Sequence, residues 1–335
     1  MQKTLLLDAG SGGRASQRLI SDLFARHFSN DILNVMDDAA LLNIDGPVAM
    51  STDTYTVTPL FFPGGSIGTL AVHGTVNDVS MLGASPKYLT CAFVLEEGLD
   101  LDVLERVVSD MGEAARNAGV AIVTGDTKVV PRGACDKIFI NTAGIGTIIR
   151  QPAPSGHSAK PGDAVLVTGT MGDHGITILS HREGLSFGTD LKSDTAPLND
   201  ITESLIAALG SKVHVLRDPT RGGLATTLNE IASQSAVGIE MDEEAVPVSP
   251  EVQSACEFLG LDPLYIANEG KLIVIVEGGA AEKALEIIRR SPHGKNASVI
   301  GTVTEENPGT VRMKTLLGGH RLVDWLNSDP LPRIC

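Results

Sequence analysis

Three prolines and two glycines within twelve residues divide this chain into two halves. The stretch QPAPSGHSAKPG covers residues 151–162. Proline removes a backbone donor and glycine frees the backbone, so such a run ends regular structure and indicates a connecting loop. The chain has 335 residues, which suits two domains of roughly 100–200 residues each. The sequence therefore predicts a first domain over residues 1–154 and a second over residues 155–325.

Helix and strand patterns alternate on both sides of this break. In the first half, apolar periodicity predicts helices over 14–28, 67–82 and 102–118 and strands over 47–55, 88–95, 120–124 and 138–148. In the second half, it predicts helices near 200–209, 222–234 and 280–290 and strands near 163–169, 237–240, 272–277 and 297–302. Such alternation is typical of mixed domains. The predicted fold class is α+β, with two mixed α/β domains.

Charge and cysteine usage argue against several classes of protein. The net charge of −15 disfavours a chain whose main task is holding nucleic acid, which needs a Lys/Arg surface. No apolar run approaches the length of a membrane span, and the apolar stretch near residue 5 is too short for a signal peptide. The four cysteines have no metal-like CxxC spacing. They are interpreted as thiols of a cytoplasmic protein.

The first half concentrates aspartates at strand ends and turns. They are Asp37, Asp38, Asp53, Asp78 and Asp126. Mg²⁺ prefers one or two carboxylates together with phosphate oxygens and water, so these acids could hold a metal–nucleotide complex. Aspartate also favours turns for local reasons, so a set of solvated turn acids is the alternative interpretation.

Four further positions each allow a functional and a structural interpretation. GSGG at residues 10–13 could bind phosphate at a helix N-terminus, or serve as a flexible leader. Lys128 could neutralise phosphate charge, or lie on the surface. Arg221 could grip phosphate in bidentate fashion, or belong to a helix-capping turn. Glu269, in NEGK, could be a base or a loop acid.

The last ten residues, 326–335, form a tail of different character. Pro330 and Pro332 forbid a helix and favour an extended segment. Ten extended residues span at most about 33–36 Å, enough to carry Cys335 into a cleft of its own chain or of a partner. The other thiols have simpler interpretations: Cys91 and Cys256 lie in apolar patterns as core residues, and Cys135 lies in a loop. By composition alone, Cys335 is more simply an accidental cysteine.

Several segments taken together resemble one family. They are GSGG, STDTY, PLFFPGG, NDVS, LEEGL, AIVTGDTKVV, FINTAG, GDHG, TRGG, NEGKL and the final PRIC, in order from residue 10 to residue 335. The chain resembles the HypE family of hydrogenase maturation proteins, the carbamoyl dehydratases. That family belongs to the ATP-binding superfamily that includes aminoimidazole ribonucleotide synthetase and selenophosphate synthetase.

The resemblance implies an architecture and a set of partners. The N-terminal domain would join its sheet to that of a second copy, giving a homodimer with a barrel-like sheet and ATP near the dimer interface. The C-terminal domain would be an α/β sandwich. The carbamoyltransferase HypF and the HypC–HypD complex are the implied protein partners.

The resemblance also implies a reaction. A carbamoyl group on the sulfur of Cys335 would be phosphorylated by ATP at its oxygen and would then lose N–H protons and phosphate to give a thiocyanate. The cyanide would become an iron ligand of nickel–iron hydrogenase. Lys128 and Glu269 would be catalytic, and Asp53, Asp78 and Asp126 would hold Mg²⁺. The remaining implied nucleotide-binding residues are Asn77, Gly125, Thr127 and Arg221.

Two other functions fit the same residues. A small-molecule ATP enzyme of the same superfamily would not need residues 331–335 for turnover. A scaffold without catalysis would use its extended tail only to dock on a maturation partner, and it would bind that partner without hydrolysing ATP.

Overall fold

Two separate sheets lie on either side of the proline-rich break. The computed structural model describes residues 4–10, 14–37, 39–185, 191–326, 331 and 333–335. A four-stranded sheet precedes residues 151–162 and a seven-stranded sheet follows them. Within the described ranges, no helix is long and apolar enough to cross a membrane.

The first half is a sheet covered by helices on one face. Its strands are β1 (Val48–Tyr55), β4 (Ala84–Glu96), β5 (Ala121–Val130) and β6 (Ile138–Ile148), and a short hairpin joins β2 (Phe61–Phe62) to β3 (Gly65–Ser66). Its helices are α1 (Arg14–Leu19), which continues through a π-helical turn (Ile20–Phe24) into α2 (Ala25–Phe28), and then α3 (Ile67–Ser80) and α4 (Leu101–Asn117). The sheet order is β1-β6-β4-β5, and only β4 and β5 run parallel.

Local sequence explains where the central helix of this half begins and how closely it packs. Ser66 Oγ accepts a hydrogen bond from the Thr69 amide while Thr69 Oγ1 accepts one from the Ser66 amide, a capping box that starts α3. At Gly68, a Cβ would lie 2.4 Å from the Val107 carbonyl oxygen. Glycine at this position therefore lets α3 and α4 approach each other closely.

Burial alternates along the edge strand β1. Ala49 and Tyr55 are buried under α3, whereas the side chain of Met50 is 65% exposed. Successive side chains of a strand point to opposite faces. The four-stranded sheet therefore has a covered face under α3 and α4 and an open face that carries Met50, Thr52 and Thr54.

The second half is a sheet with helices on both faces. Its strands are β7 (Ala164–Val167), β8 (Val213–Arg217), β9 (Gly238–Asp242), β10 (Ile273–Val276), β11 (Ser298–Thr304), β12 (Val311–Lys314) and β13 (His320–Val323). Its helices are α5 (Asp173–Glu183), α6 (Asn199–Leu209), α7 (Gly223–Ser235), α8 (Pro250–Leu259) and α9 (Ala281–Ile288). The order is β13-β12-β9-β11-β7-β10-β8. β7 and β10 are buried at every position, as expected of strands covered on both faces.

One large apolar cluster spans the two halves. A cluster built on Leu70 and Phe93 of the first half continues through Ile176 and Ile178 of α5 to Ile266. Polar contacts cross the same boundary, since Asn77 accepts from the Leu198 amide at 2.8 Å. α5 therefore packs against the first half. The sequence patterns did not predict α5, α8, β8, β12 or β13.

Candidate functional site

The tail lies along the chain segment that follows β1. The Thr58 amide donates to the Arg333 carbonyl at 3.4 Å, and the Thr56 amide donates to the Cys335 carbonyl at 3.0 Å. These two bonds pair the segments in antiparallel fashion. Cys335, which is half-buried, therefore docks within its own chain, next to residues that follow Asp53 by only a few positions.

Side chains of α5 hold the docked tail by its backbone. His174 Nε2 lies 2.7 Å from the Ile334 carbonyl oxygen, and Arg182 Nη2 donates to the Arg333 carbonyl at 2.7 Å. Ile334 and Leu331 are each 3% exposed. The sequence analysis singles out neither His174 nor Arg182 as a site residue. The GDHG segment was the available signal for the first, and nothing in the sequence pointed to the second.

The loop of Glu269 is tied down on every side. Asn268 Oδ1 accepts from the Gly172 amide at 2.7 Å, and the Glu269 amide donates to Asp194 Oδ1 at 3.1 Å. Lys271 Nζ lies 3.1 Å from Asp194 Oδ2. These contacts hold the chain on both sides of Glu269.

A glycine is needed next to that carboxyl group. A Cβ at Gly270 would lie 1.8 Å from the Asp194 carbonyl oxygen. No side chain fits there without moving the backbone of residue 194, so glycine allows the two segments to touch.

Burial and like charges act together on Glu269. The residue is 5% exposed. Burial, followed by the negative charges of Asp218, Asp194, Asp53 and Asp78, raises the pKa of Glu269 well above its usual range. A carboxylate with a raised pKa is a stronger base than an exposed one. Of the two interpretations that the sequence left open, an ordinary loop acid does not describe this environment.

Asp53, Asp78 and Asp218 form a group of interacting carboxylates on the covered face. Ser51 Oγ donates to Asp78 Oδ2 at 2.7 Å. Burial raises the pKa of Asp78, and the charge of Asp53 adds to the effect. Burial together with the charges of Asp78 and Asp53 raises the pKa of Asp218 to about 7. A positive charge nearby would lower these pKa values.

A cavity of about 420 Å³ opens beside these carboxylates. Asp78, Asp218 and Arg221 all contribute to its lining. The positive charge of Arg221 lowers the pKa of Asp78 and so opposes the effect of burial. The cavity therefore brings the predicted Arg221 to the predicted Asp78.

Asp126 and Lys128 point away from this group. Lys128 Nζ lies 2.8 Å from Asp126 Oδ2, and both side chains are largely exposed. The hydrogen bond and the charge of Lys128 lower the pKa of Asp126. Across the sheet, Asp126 of β5 lies in line with Ala92, Asn141 and Thr54 of the other three strands. Because Thr54 is on the open face, Asp126 is on the open face as well.

Asp53 lies on the other face and at the other edge of the same sheet. Asp53 lies in line with Thr142, Cys91 and Gly125 across the four strands, so the β5 residue opposite it is Gly125. Three strand spacings separate β1 from β5, about 14 Å. A single chain therefore does not bring Asp126 to Asp53 and Asp78. In the part of the chain that the structure describes, no three His, Cys, Asp or Glu side chains form a group that could hold a metal ion.

A second cavity of about 380 Å³ lies between β5 and the N-terminal helical segment. Gly125, Asp126, Thr127 and Lys128 line it together, and so do Gly10 and Asp37. Residues 11–13 and Asp38, also predicted to bind phosphate or metal, lie outside the described residues. The cavity has the size of an ordinary small-molecule site.

The remaining sequence-predicted residues have structural surroundings. Asn77 is buried, and its amide bonds the Ala196 carbonyl and the Leu198 amide. Both polar atoms of its side chain thus join the two halves. Cys91 and Cys256 are buried, which confirms them as core thiols. Burial raises the pKa of Cys256 to about 11.

The two domains match those of the AIR synthase related proteins, and the chain belongs to that family. The N-terminal domain of that family matches residues 36–148, and its C-terminal domain matches residues 160–314. Within this class, the chain belongs to the HypE family, as the sequence motifs predicted. It is 52% identical to carbamoyl dehydratase HypE of Rhizobium leguminosarum bv. viciae over 335 residues, which cover 98% of this chain and 94% of that protein.

Solved structures agree with this assignment. A crystal structure of hydrogenase maturation protein HypE in complex with ATP matches with a TM-score of 0.97 and 64% identity, covering 99% of this chain and 100% of that one. The HypE–HypF complex contains a chain that matches with a TM-score of 0.82 and 52% identity, covering 92% of this chain and 99% of that one.

Proposed function

We propose that this protein is an ATP-dependent carbamoyl dehydratase whose substrate is a carbamoyl group on its own Cys335. The product is an S-cyanide that supplies cyanide ligands for nickel–iron hydrogenase. Relatives named carbamoyl dehydratase HypE support the reaction, and the related structure with ATP supports the co-substrate.

One observation carries the proposal: the docked position of the tail. Cys335 pairs with Thr56, close to Asp53 in the chain. The adjacent residue Ile334 bonds His174 of α5, and the Gly175 amide of the same helix bonds the Ala267 carbonyl, two residues before Glu269. A tethered substrate meets the reacting groups as an intramolecular partner, which removes most of the entropic cost of the encounter.

The chemistry balances as two transfers. The carbamoyl oxygen attacks the γ-phosphorus of ATP, the bond to the β-phosphate oxygen breaks, and ADP leaves. The nitrogen then loses its two protons, and the electron pairs they leave complete a carbon–nitrogen triple bond. At the same time the carbon–oxygen bond breaks and phosphate leaves. Thiocarbamate and ATP thus give thiocyanate, ADP and phosphate. Glu269 is the base for the nitrogen protons: its carboxyl group is held in the loop next to the docked tail, and burial and the neighbouring acids raise its pKa and so make its carboxylate a stronger base.

The covered face supplies two of the three proposed magnesium ligands, Asp53 and Asp78. Asp53 and Asp78 repel each other electrostatically, and Mg²⁺ is usually bound by one or two carboxylates plus phosphate oxygens. When bound, the ion would spread the charge of the transferring phosphoryl group. Asp126 would join such a site only from a second copy of the chain.

A second copy would also explain the open face of the four-stranded sheet. Two such faces packed together give the barrel-like homodimer that the family resemblance implies. The exposed Met50 would then be buried. Lys128 and the cavity lined by Gly125, Asp126 and Thr127, to which we assign the nucleotide, would approach the partner's tail rather than their own.

Partners must reach Cys335 as well. The HypE–HypF complex among related structures supports HypF as the donor of the carbamoyl group. The HypC–HypD complex would receive the cyanide. We therefore expect the tail to alternate between the docked position and an exposed one.

Intact-protein mass spectrometry tests the proposal. With ATP, Mg²⁺, carbamoyl phosphate and HypF, the chain should gain a carbamoyl group that loses one water only when ATP is present. Cys335→Ala should gain nothing, and Cys135→Ala, a matched control at a half-buried thiol, should behave as the wild type. An adduct that persists in Cys335→Ala would refute the proposal. Partner binding without ATP turnover would instead support a scaffold.

A variant on the covered face separates the two steps. Asp78→Asn should keep the carbamoyl adduct and lose the dehydration, because the proposed metal–nucleotide site of this chain acts in the second step. Simultaneous loss of both steps would indicate a folding defect in that variant.

A further inference from the structure

One stripe of helix α5 faces the tail. His174, Gly175, Ile178 and Arg182 are spaced so that they share a side of the helix. His174 and Arg182 bond tail carbonyls, and Ile178 belongs to the apolar cluster that contains Leu331 and Ile334. At Gly175, a Cβ would lie 3.2 Å from Leu331 Cδ1. The helix therefore contacts the tail along its length.

The contact through His174 is one end of a hydrogen-bond chain. The Ile334 carbonyl can only accept, so His174 Nε2 carries the hydrogen and Nδ1 accepts from Ser193 Oγ at 2.8 Å. Ser193 Oγ in turn accepts from the Thr195 amide at 3.1 Å. Burial lowers the pKa of His174, which keeps the ring neutral and preserves this arrangement.

Arg182 joins the two paired segments. Its Nε donates to the Thr58 carbonyl at 2.9 Å and its Nη2 to the Arg333 carbonyl at 2.7 Å. One guanidinium thus bonds both sides of the antiparallel pair. Arg333 adds a second link, since its guanidinium donates to the Thr56 carbonyl and pairs with Asp136 at 2.9 Å.

We propose that His174 and Arg182 are positioning residues that hold Cys335 in register for dehydration. Their partners are backbone carbonyls, so they bind the tail through its main chain irrespective of its side chains. This role rests on the proposed function, since it assumes that Cys335 carries the group to be dehydrated. Release of these bonds frees the tail for its partner proteins, and their formation returns Cys335 to the reacting groups.

Thiol alkylation tests the docking without any catalysis. The protein is treated with iodoacetamide, and the rates at Cys335 and Cys135 are read from their separate peptides, with Cys135 as the internal reference. Arg182→Met should raise the rate at Cys335 about tenfold relative to Cys135, because hydrogen bonds from a charged group are lost. His174→Leu should do the same, and His174→Gln, which keeps a donor for the Ile334 carbonyl, should restore protection.

The two reaction steps should respond in opposite directions. In Arg182→Met, carbamoyl transfer from HypF should proceed at least as fast as in the wild type, while dehydration should slow about tenfold. The control Arg312→Met, which breaks an ion pair with Glu240 on the second sheet, should change neither step. A general folding defect would slow both steps and expose Cys135 as well.

An unchanged rate of alkylation at Cys335 in both Arg182→Met and His174→Leu would overturn the positioning role. Slower carbamoyl transfer with unchanged dehydration would overturn it as well. If the wild type accepts no carbamoyl group, the proposed dehydration fails, yet the alkylation result still decides whether these residues hold the tail.

Discussion

The two faces of the four-stranded sheet differ in how their polar groups are satisfied. On the covered face, Asp78 accepts from Ser51, and Thr142 Oγ1 donates to the Ala71 carbonyl. On the open face, Asp126 and Lys128 bond each other and are largely exposed. One chain completes the first face. The open face exposes both charged side chains and the apolar side chain of Met50, as a surface that another molecule would cover does.

This difference assigns distinct roles to the two faces. The tail and the loop of Glu269 are assembled by one chain alone, so docking of Cys335 needs no second copy. The β5 residues to which we assign the nucleotide lie at the other edge of the sheet, and Asp126 and Lys128 are on its open face, so we expect them to serve the tail of a second copy. The proposed reaction therefore requires two copies even though its substrate is intramolecular.

The largest expected effect is at Glu269. Glu269→Gln should keep the carbamoyl adduct on Cys335 and slow its dehydration by about 10²–10⁴-fold, the usual contribution of a general base. Single-turnover mass spectrometry of the carbamoylated protein measures the rate. A dehydration rate within threefold of the wild type would remove Glu269 from the chemistry and weaken the contrast between the faces.

The open face is tested by introducing a charge. Met50→Glu should raise the dissociation constant of the homodimer at least about hundredfold, because burying an unpaired carboxylate costs several kcal/mol. Sedimentation equilibrium measures it. Leu317→Glu is the matched control, since Leu317 is 98% exposed elsewhere on the molecule. Equal dimerisation of both variants would show that the open face is not the interface.

Acid should lower the folding stability through His73, which lies in helix α3 on the covered face. This residue is buried, and burial lowers its pKa to about 3. An unfolded histidine binds a proton below about pH 6.5, whereas the folded one stays neutral, so folding stability falls as the pH falls from 6.5 towards 3. The slope is about 1.4 kcal/mol per pH unit. Urea unfolding at pH 6.5 and pH 5 should show about 2 kcal/mol more loss in the wild type than in His73→Gln.

The exposed His320 provides the control for that measurement. His320→Gln should lose stability with acid as the wild type does. If His73→Gln does so too, burial of His73 is not the source of the acid sensitivity.

Mixing two inactive variants tests whether the faces cooperate across copies. Lys128→Ala and Glu269→Gln, each expected to be nearly inactive in dehydration, are unfolded together and refolded in equal amounts. If each site combines Lys128 of one copy with Glu269 of the other, half of the dimers have one intact site, giving about a quarter of wild-type activity. Absence of any recovery would indicate that both residues act within one chain.

The smallest expected effect is on thermal stability. Glu269 has a folded pKa raised above its unfolded value, so its ionisation opposes folding as the pH rises through the folded pKa. At a pH where the wild-type residue is ionised, Glu269→Gln should raise Tm by a few degrees. Differential scanning calorimetry at pH 6 and pH 9 measures the gain, which should be larger at pH 9. A lower Tm at pH 9 would show that the carboxylate is stabilised by its surroundings.

The sequence predicts the elements that have their own amphipathic pattern. α4 was predicted within one residue of Leu101–Asn117 because its buried stripe, including Leu104, Val107 and Met111, repeats at helical spacing. α5 was missed because its buried residues include His174 and Thr177. Part of that polar face contacts a tail far away in the sequence, so no local period records it.

The candidate site shows the same limit. The residue types that can hold phosphate and metal are visible in the sequence, and Asp53, Asp78 and Asp126 were all singled out. Their faces are not visible, because a shift of one residue in pairing moves a side chain to the other side of a sheet. Only the registry of β1, β6, β4 and β5 separates Asp53 from Asp126.

The pairing of the tail with residues 56–58 constrains the number of residues that the tail can have. A slip of one residue would move Ile334, now 3% exposed, out of the apolar cluster and bring a neighbour such as the charged Arg333 towards it. An insertion or deletion between Leu331 and Cys335 would therefore turn the thiol to the wrong side, whatever residue was added or removed. The position of the thiol therefore depends on the number of residues in the tail more than on most of their identities.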